Sequence, residues 1–180
     1  KTVEQILQLE AAGCEIIRVA VPDEEAAAVL PQIKAAMTVP LIADIHFDYR
    51  LALKSAAVVD CVRINPGNIG AWWKVEEVIK AVNDHGIPIR VGVNGGSLER
   101  PLLEKYGWPS PEALSESALN AVHALEDVGF TNMKVSLKAS DVKHAIDAYW
   151  LFAMQSDYPL HIGITEAGTA MTGAVKSSIG

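Results

Sequence analysis

The chain has 180 residues, half of them apolar, with a formal net charge of −7 and a pI near 5.2. This length predicts one domain with a sizeable core. The acidic balance and the lack of a Lys/Arg run exclude a protein that coats nucleic acid, and no apolar stretch approaches a membrane span. The first residues begin directly in a helical pattern with no leader, which predicts a cytoplasmic location.

Apolar runs of five to seven residues alternate along the chain with helical patterns. The predicted strands cover residues 16–21, 41–45, 61–66, 89–94, 133–139 and 160–166. The predicted helices cover residues 2–12, 24–37, 49–59, 72–85, 111–128 and 141–155, and the sequence ends in a pattern typical of the first turns of another helix. The helix caps predicted at their starts are Asp23, Asp48, Ser110 and Ser140, and Gly13, Gly86 and Gly129 lie where helices should stop. Strands that alternate with helices in this way predict βαβ units and a parallel sheet.

Polar side chains recur at every second position of the predicted strands, which places them on one face. These inward residues are Arg18, Asp44, His46, Arg63, Asn65, Arg90, Asn94, Lys134, Ser136, Lys138, His161 and Thr165. The strands of an open sheet covered on both faces would be almost continuously apolar. The pattern therefore favours an α/β fold of the parallel (β/α) TIM-barrel type over a doubly wound sheet. A closed barrel has eight strands, so the six predicted here indicate a single, partial barrel domain over residues 1–180.

The strongest local cluster of chemical groups is the segment RINPGNIG, residues 63–70. Arg63 and Asn65 share a face, and Pro66 with Gly67 predicts a sharp turn whose backbone N–H groups could meet an anion. The alternative is a structural arginine paired with Asp44. Inward cations outnumber inward acids, which favours an anionic ligand over pairing alone.

Three further strand ends carry candidate groups, because reacting groups of parallel barrels lie at the carboxyl ends of strands. Asn94 precedes Gly95-Gly96, where a ligand could approach the backbone closely, and Lys138 ends the next strand. Strict alternation would turn Glu166 away from the interior, but alternation commonly breaks at the last residue of a strand. Glu166 is therefore kept as a candidate acid.

Asp44 and His46 supply a carboxylate and an imidazole on one face, a pair suited to proton transfer or hydroxyl binding. With no third ligand in reach, no metal site is predicted. Cys14 and Cys61 form no C-x-x-C pair and are interpreted as buried thiols. The helix histidines, among them His144, are interpreted as surface residues. The segment 98–109 is expected to form either a lid or a plain surface loop.

Five segments, in order, resemble the 4-hydroxy-3-methylbut-2-enyl diphosphate synthase family over essentially the whole chain. They are VPLIADIHFDYR at 39–50, RINPGNIG at 63–70, GVN with GSLE within 92–99, KASD at 138–141 and GITEAG at 163–168. The resemblance implies an oxidoreductase that reductively opens 2-C-methyl-D-erythritol 2,4-cyclodiphosphate in the non-mevalonate route to isoprenoids. It further implies electrons from a reduced flavodoxin or ferredoxin, delivered through a [4Fe–4S] cluster.

The resemblance also assigns roles to residues of this chain. The implied substrate-binding residues are Arg18, Arg63, Asn65, Arg90, Asn94 and Lys138. The implied catalytic residues are Glu166, as proton donor, with Asp44 and His46. In the family a C-terminal iron–sulfur domain, absent from this sequence, supplies three cysteines and one glutamate to the cluster and closes over the barrel of the partner in a homodimer. Because Cys14 and Cys61 match none of these ligands, the chain alone is expected to be inactive.

A second function remains open on the sequence alone. A barrel of the aldolase-like or pterin-binding type would bind a phosphorylated ligand without redox chemistry. A lyase of this kind would need a Schiff-base lysine with a lowered pKa, and Lys134 is the only deeply placed candidate.

Overall fold

The computed structural model describes all residues from Lys1 to Gly180. The helices are α1 Thr2–Ala11, α2 Glu24–Ala35, α3 Tyr49–Ala56, α4 Pro66–Ile69, α5 Trp72–Asp84, α6 Arg100–Tyr106, α7 Pro111–Asp127, α8 Val142–Ala153 and α9 Ala170–Ile179. The strands are β1 Ile17–Ala20, β2 Leu41–Asp44, β3 Cys61–Ile64, β4 Ile89–Asn94 and β5 Met133–Lys138. Strands alternate with helices and neighbour one another in chain order in one sheet, which confirms the predicted α/β class.

The helices α4 and α6 lie outside the predicted helical patterns, whereas α9 confirms the helix predicted at the end of the sequence. The longest helix, α7, has 17 residues. None of the helices combines the length and the apolar character that a bilayer crossing requires. The chain divides into two compact units, Lys1–Arg90 and Val91–Gly180, and β4 begins in the first unit and continues in the second.

The first unit is built on three parallel strands in register. Ala20 of β1 pairs with Asp44 of β2, and Asp44 in turn pairs with Arg63 of β3. Every residue of β2 and β3 is buried, as expected for parallel strands covered on both faces. Apolar side chains of α2, α3 and α5 are also buried. The predicted caps Asp23 and Asp48 are confirmed, since each carboxylate accepts a hydrogen bond from the first turn of its helix.

The second unit contains β5 and the long helices α7 and α8, and one of the two helix caps predicted there is confirmed. Ser110 caps α7 as predicted and accepts a hydrogen bond from the backbone N–H of Ala113. The cap predicted at Ser140 is wrong, because Asp141 is the cap of α8 and accepts from the N–H of His144 at 2.9 Å. Both residue types suit a cap, so the neighbouring sequence could not decide between them.

Three glycines end helices as the sequence predicts. Gly13, Gly86 and Gly129 all have positive φ angles, of 91°, 66° and 78°. A left-handed residue after the last turn turns the chain out of the helix, and glycine adopts that conformation without a steric penalty.

The predicted sixth strand, residues 160–166, is wrong as a continuous strand. Only Leu160 pairs in parallel fashion, as an isolated bridge with Val135 of β5. The side-chain hydroxyl of Tyr149 takes the next position in the ladder, between the N–H of Leu137 and the carbonyl of His161. Backbone pairing returns only where the N–H of Thr165 donates to the carbonyl of Ala139 at 3.1 Å.

Candidate functional site

Four candidate residues lie at or next to the carboxyl ends of their strands, whereas Arg18 and Arg90 are the second residues of β1 and β4. Asp44, Asn94 and Lys138 are the last residues of β2, β4 and β5, and Arg63 is the next to last residue of β3. In parallel α/β proteins the strand ends and the loops that follow them carry binding and reacting groups. The predicted site residues fall into two groups, one in each compact unit.

The first group is the Asp44 cluster, formed by Arg18, Asp44, His46 and Arg63. The buried carboxylate of Asp44, only 2% exposed, accepts hydrogen bonds from Nη1 of Arg18 and, at 2.9 Å, from Nη1 of Arg63. Nε2 of His46 lies 3.4 Å from Oδ2 of the same carboxylate. The structural pairing of Arg63 with Asp44 therefore exists, but two guanidinium groups share one carboxylate, so these three groups together carry a net positive charge.

Burial makes this excess charge costly. The side chain of Arg63 is 10% exposed and that of Arg18 is 44% exposed. Burial lowers the pKa of the Arg63 guanidinium below its usual value, and burial followed by the charge of Arg63 lowers the pKa of Arg18. An anion beside the two groups would favour their charged forms, so the cluster is suited to an anionic ligand.

Asn65 and Arg90 complete the predicted residues of the first unit. Both are buried. The side-chain oxygen of Asn65 accepts from the N–H of Gly67 at 3.2 Å and caps the short helix α4. The expectation that the N–H of Gly67 is open to an anion is therefore wrong, because a polar side chain that precedes a turn commonly bonds to its own backbone.

We expect His46 to stay neutral at physiological pH. Burial, and then the charges of Arg63 and Arg18, lower the pKa of its imidazole, and Asp44 does not reverse this because it already pairs with both guanidinium groups. A lowered pKa means that the unfolded chain binds the proton more readily, so stability is lost as pH falls below the ordinary histidine value of about 6.5. NMR titration should give a midpoint below that value, and Arg18→Met should move the midpoint upward.

The matched control for this titration is Arg50→Met. The guanidinium of Arg50 is exposed and pairs with Asp48, and it is not among the charges that act on His46. A His46 midpoint that responds equally to both substitutions would contradict the proposed influence of the cluster.

The second group lines a cavity of about 530 Å³ in the second unit. Its lining contains three predicted site residues, Asn94, Lys138 and Glu166, together with Gly95 and Gly96. The side-chain oxygen of Asn94 is buried and has no hydrogen-bond partner. Because an unsatisfied buried acceptor is costly, this oxygen is well placed to receive a hydroxyl or N–H group of a ligand.

Glu166 reaches the cavity lining through an unusual backbone conformation. It is the one non-glycine residue of the structure with a positive φ, at 49°, and Gly168 follows with a φ of 95°. A left-handed residue interrupts the alternation of faces that an extended strand would impose. This explains why strict alternation, which would turn Glu166 away, does not hold at this position.

Two cavity residues were missed by sequence reasoning. Trp108 and His144 both line the cavity, and their rings lie edge to face with centroids 5.0 Å apart. The interpretation of His144 as a surface residue is therefore incomplete. The segment 98–109, expected as a lid or a loop, forms helix α6 and then brings Trp108 and Pro109 to the cavity. His144 lies in the first turn of α8, the helix that follows β5. This position near the end of a strand could have identified His144 as a candidate site residue from the sequence.

The cysteines do not form a metal or cluster site. Sγ of Cys14 lies 3.2 Å from the carbonyl oxygen of Ile16, and Cys61 is buried at the start of β3. The structure brings together no group of three or more His, Cys, Asp or Glu side chains that could hold a metal ion. A [4Fe–4S] cluster takes four protein ligands, mostly thiolates, so the residues of this chain do not fit one.

Comparisons with known proteins agree with the sequence motifs. The model of the GcpE TIM-barrel domain family matches residues 1–180. A 4-hydroxy-3-methylbut-2-en-1-yl diphosphate synthase (flavodoxin) from Geobacillus thermodenitrificans is 58% identical over 180 residues, which cover 99% of this chain and 48% of the relative. The enzyme of the same name from Thermodesulfovibrio yellowstonii is 59% identical, with coverages of 99% and 52%. The chain thus spans about half the length of the curated relatives it matches.

A solved structure supports the fold. Dihydropteroate synthase from Xanthomonas albilineans in complex with 7,8-dihydropteroate superposes with a TM-score of 0.64, covering 97% of this chain and 71% of that protein. The sequence identity is 15%, so the likeness concerns the fold alone and does not favour a pterin-binding function. Together with the family match, it confirms the predicted TIM-type barrel architecture.

Proposed function

The chain belongs to the GcpE TIM-barrel domain family, and on that premise we propose that it is the substrate-binding part of an isoprenoid-synthesis oxidoreductase. The proposed reaction opens 2-C-methyl-D-erythritol 2,4-cyclodiphosphate reductively to 4-hydroxy-3-methylbut-2-enyl diphosphate. The observation that carries the proposal is the Asp44 cluster, in which two guanidinium groups share one buried carboxylate. The net positive charge of these three groups suits the diphosphate of this substrate.

We assign binding to the cationic and amide side chains of the strands and of the turns that follow them. Arg18 and Arg63 contact diphosphate oxygens, because planar guanidinium groups bind such oxygens in a bidentate manner. The proposed substrate-binding set is completed by Asn65, Arg90, Asn94 and Lys138. The buried oxygen of Asn94 accepts a hydrogen bond from a hydroxyl group of the substrate.

We assign proton transfer to carboxylate and imidazole groups. Glu166 is exposed at the cavity lining, where it can give a proton to the substrate. Asp44 keeps the two guanidinium groups of its cluster in place and charged. His46, with its lowered pKa, is neutral and offers one ring N–H and one acceptor nitrogen at the edge of the cluster.

The electrons for the reduction come from outside this chain. Flavodoxin is the donor named for the curated relatives, and we propose flavodoxin or ferredoxin as the partner. The [4Fe–4S] cluster that the resemblance implies does not fit Cys14 and Cys61, so its ligands belong to the cluster domain of the family, which closes over the barrel of the other subunit in a homodimer.

Substrate calorimetry on the full-length protein tests the proposal. Arg63→Ala should weaken binding of the cyclic diphosphate by roughly 10- to 100-fold, because a charge-assisted hydrogen bond contributes on the order of 1.5–3 kcal/mol. Arg63→Lys should restore only part of the affinity, since the bidentate fork is lost.

The control is Arg50→Ala, which removes an exposed guanidinium that pairs with Asp48. This substitution should leave the affinity unchanged. Unchanged affinity in Arg63→Ala as well would remove Arg63 from the binding site, and a wild-type protein that does not bind the cyclic diphosphate would refute the proposed function.

A further inference from the structure

The hydroxyl group of Tyr149 lies inside a backbone hydrogen-bond ladder. The ladder joins β5 to the chain that follows α8: the N–H of Val135 donates to the carbonyl of Pro159 at 2.9 Å, and the N–H of His161 donates to the carbonyl of Val135 at 2.8 Å. In a regular parallel ladder the next bond would run from the N–H of Leu137 to the carbonyl of His161. That direct bond is replaced by a side chain.

The replacement consists of two hydrogen bonds in series. The N–H of Leu137 donates to the Tyr149 hydroxyl at 3.1 Å, and the hydroxyl donates to the carbonyl of His161 at 2.8 Å. Tyr149 is buried and reaches this point from α8, so water does not compete for the two backbone groups. A hydroxyl between donor and acceptor keeps the two segments farther apart than a direct bond would.

The pairing register survives on both sides of this insertion. The ladder returns where the N–H of Thr165 donates to the carbonyl of Ala139 at 3.1 Å, which is the partner expected from the bridge between Val135 and Leu160. The segment is thus widened locally rather than shifted along β5. Gly163 lies in the widened part, two residues after His161.

Lys138 uses the space at Gly163. A β-carbon added at Gly163 would lie 3.4 Å from Cε and 3.6 Å from Nζ of Lys138, so the end of the lysine side chain lies directly against this glycine. The same lysine lines the cavity together with Asn94 and Glu166. The widened backbone leaves room for the lysine end beside Gly163, and a side chain larger than that of alanine at position 163 would compete for the same space.

We propose that Tyr149 is a positioning residue for the reaction: its hydroxyl holds the segment after α8 away from β5 and thereby seats Lys138 at the substrate cavity. This inference rests on the proposed function in one respect, namely that the ligand of the cavity is the cyclic diphosphate. Tyr149 itself does not line the cavity, so it acts through Lys138 and not by contact with the substrate.

Hydrogen exchange in the ligand-free full-length protein tests the structural part. Tyr149→Phe keeps the ring and removes the hydroxyl, so Leu137 can pair directly with His161 and the ladder can close. The amide of Gly163 should then exchange at least about 10-fold more slowly, because a regular ladder gives it the carbonyl of Leu137 as acceptor. A general loss of packing would make this amide exchange faster, and unchanged or faster exchange would overturn the proposal.

Tyr158→Phe is the matched control for the exchange experiment. Its hydroxyl donates to Oε1 of Glu126 at 2.9 Å on the exposed surface of the same unit. This substitution removes one tyrosine hydroxyl without touching the ladder and should leave exchange at Gly163 unchanged.

A double-mutant cycle tests the connection to Lys138. Calorimetry should show that Tyr149→Phe weakens binding of the cyclic diphosphate about 10-fold in the wild-type background and less than about twofold when Lys138→Ala is already present. Equal losses in both backgrounds would overturn the proposal. If the wild-type protein does not bind the cyclic diphosphate, the proposed function fails, while exchange at Gly163 still decides whether Tyr149 holds the ladder open.

Gly163→Val provides a second variant if Tyr149→Phe does not fold. A β-carbon at position 163 would already be in van der Waals contact with Cε of Lys138, at 3.4 Å, so the two further methyl groups of valine compete with the lysine end for space and leave the Tyr149 hydroxyl in place. The substitution should also weaken binding in the wild-type background and should have little effect in the Lys138→Ala background. A loss of affinity that is independent of Lys138 would contradict the assignment.

Discussion

Replacing Glu166 by Gln in the full-length protein should lower turnover by about 10²- to 10⁴-fold, the usual contribution of a general acid. The affinity for the cyclic diphosphate should change less than about threefold, because Gln keeps the size and most of the hydrogen bonding of Glu. The left-handed backbone at this position stays equally available to both residues, so a loss of turnover reports the lost proton and not a rearranged loop. Steady-state kinetics and calorimetry on the same preparation separate the two effects.

Glu104→Gln is the control for this experiment. Glu104 is exposed on α6 and pairs with Arg100 one helical turn away, so its substitution should leave both turnover and affinity unchanged. Normal turnover with weakened binding in Glu166→Gln would show that Glu166 positions the substrate and does not transfer the proton.

Asp44→Asn should destabilise the protein by about 3 kcal/mol, the cost of removing one partner from a buried ion pair. The carboxylate accepts from both Arg18 and Arg63, and the amide that replaces it carries no charge. The two guanidinium groups then stay close together with no carboxylate between them. Differential scanning calorimetry of the full-length protein measures the loss as a lowered melting temperature.

The Asp44→Asn variant also tests whether the Asp44 cluster binds an anion. Inorganic pyrophosphate should recover part of the lost melting temperature in Asp44→Asn, because a bound anion stabilises the folded form, and the gain should exceed that of the wild type. Asp60→Asn is the control, since its carboxylate is 42% exposed and pairs with Lys34. If pyrophosphate raises the melting temperature of Asp44→Asn no more than that of the wild type or of Asp60→Asn, the result would argue against an anion at this cluster.

Local patterns in the sequence were sufficient for the order of the five strands and of the longer helices, but not for the short helices α4 and α6. Alternating polar residues, helix caps such as Asp23 and Ser110, and glycines at helix ends act within one or two turns of chain. Their physical causes are backbone conformation and short-range hydrogen bonds, which consecutive residues determine. The motifs at the strand ends also identified Asp44, Asn94 and Lys138 without any structure.

The cap of α8 and the hydrogen-bond partner of Asn65 could not be predicted from the sequence. Ser140 and Asp141 are both good caps, and only the geometry of α8 selects Asp141. The N–H of Gly67 was expected to be open to an anion, but it donates to the side-chain oxygen of Asn65. In each case two local arrangements of similar energy compete, and the sequence contains no sign that separates them.

The sequence by itself determined the parallel α/β architecture, the barrel family and the strand ends that carry the candidate residues. Only the tertiary structure decided that Arg18 and Arg63 share Asp44, that Trp108 meets His144, and that Tyr149 interrupts a ladder. Arg18 and Asp44 are 26 residues apart in the chain, and their contact depends on the register between two strands. Register and packing are set by the free energy of the whole fold, which no short segment encodes.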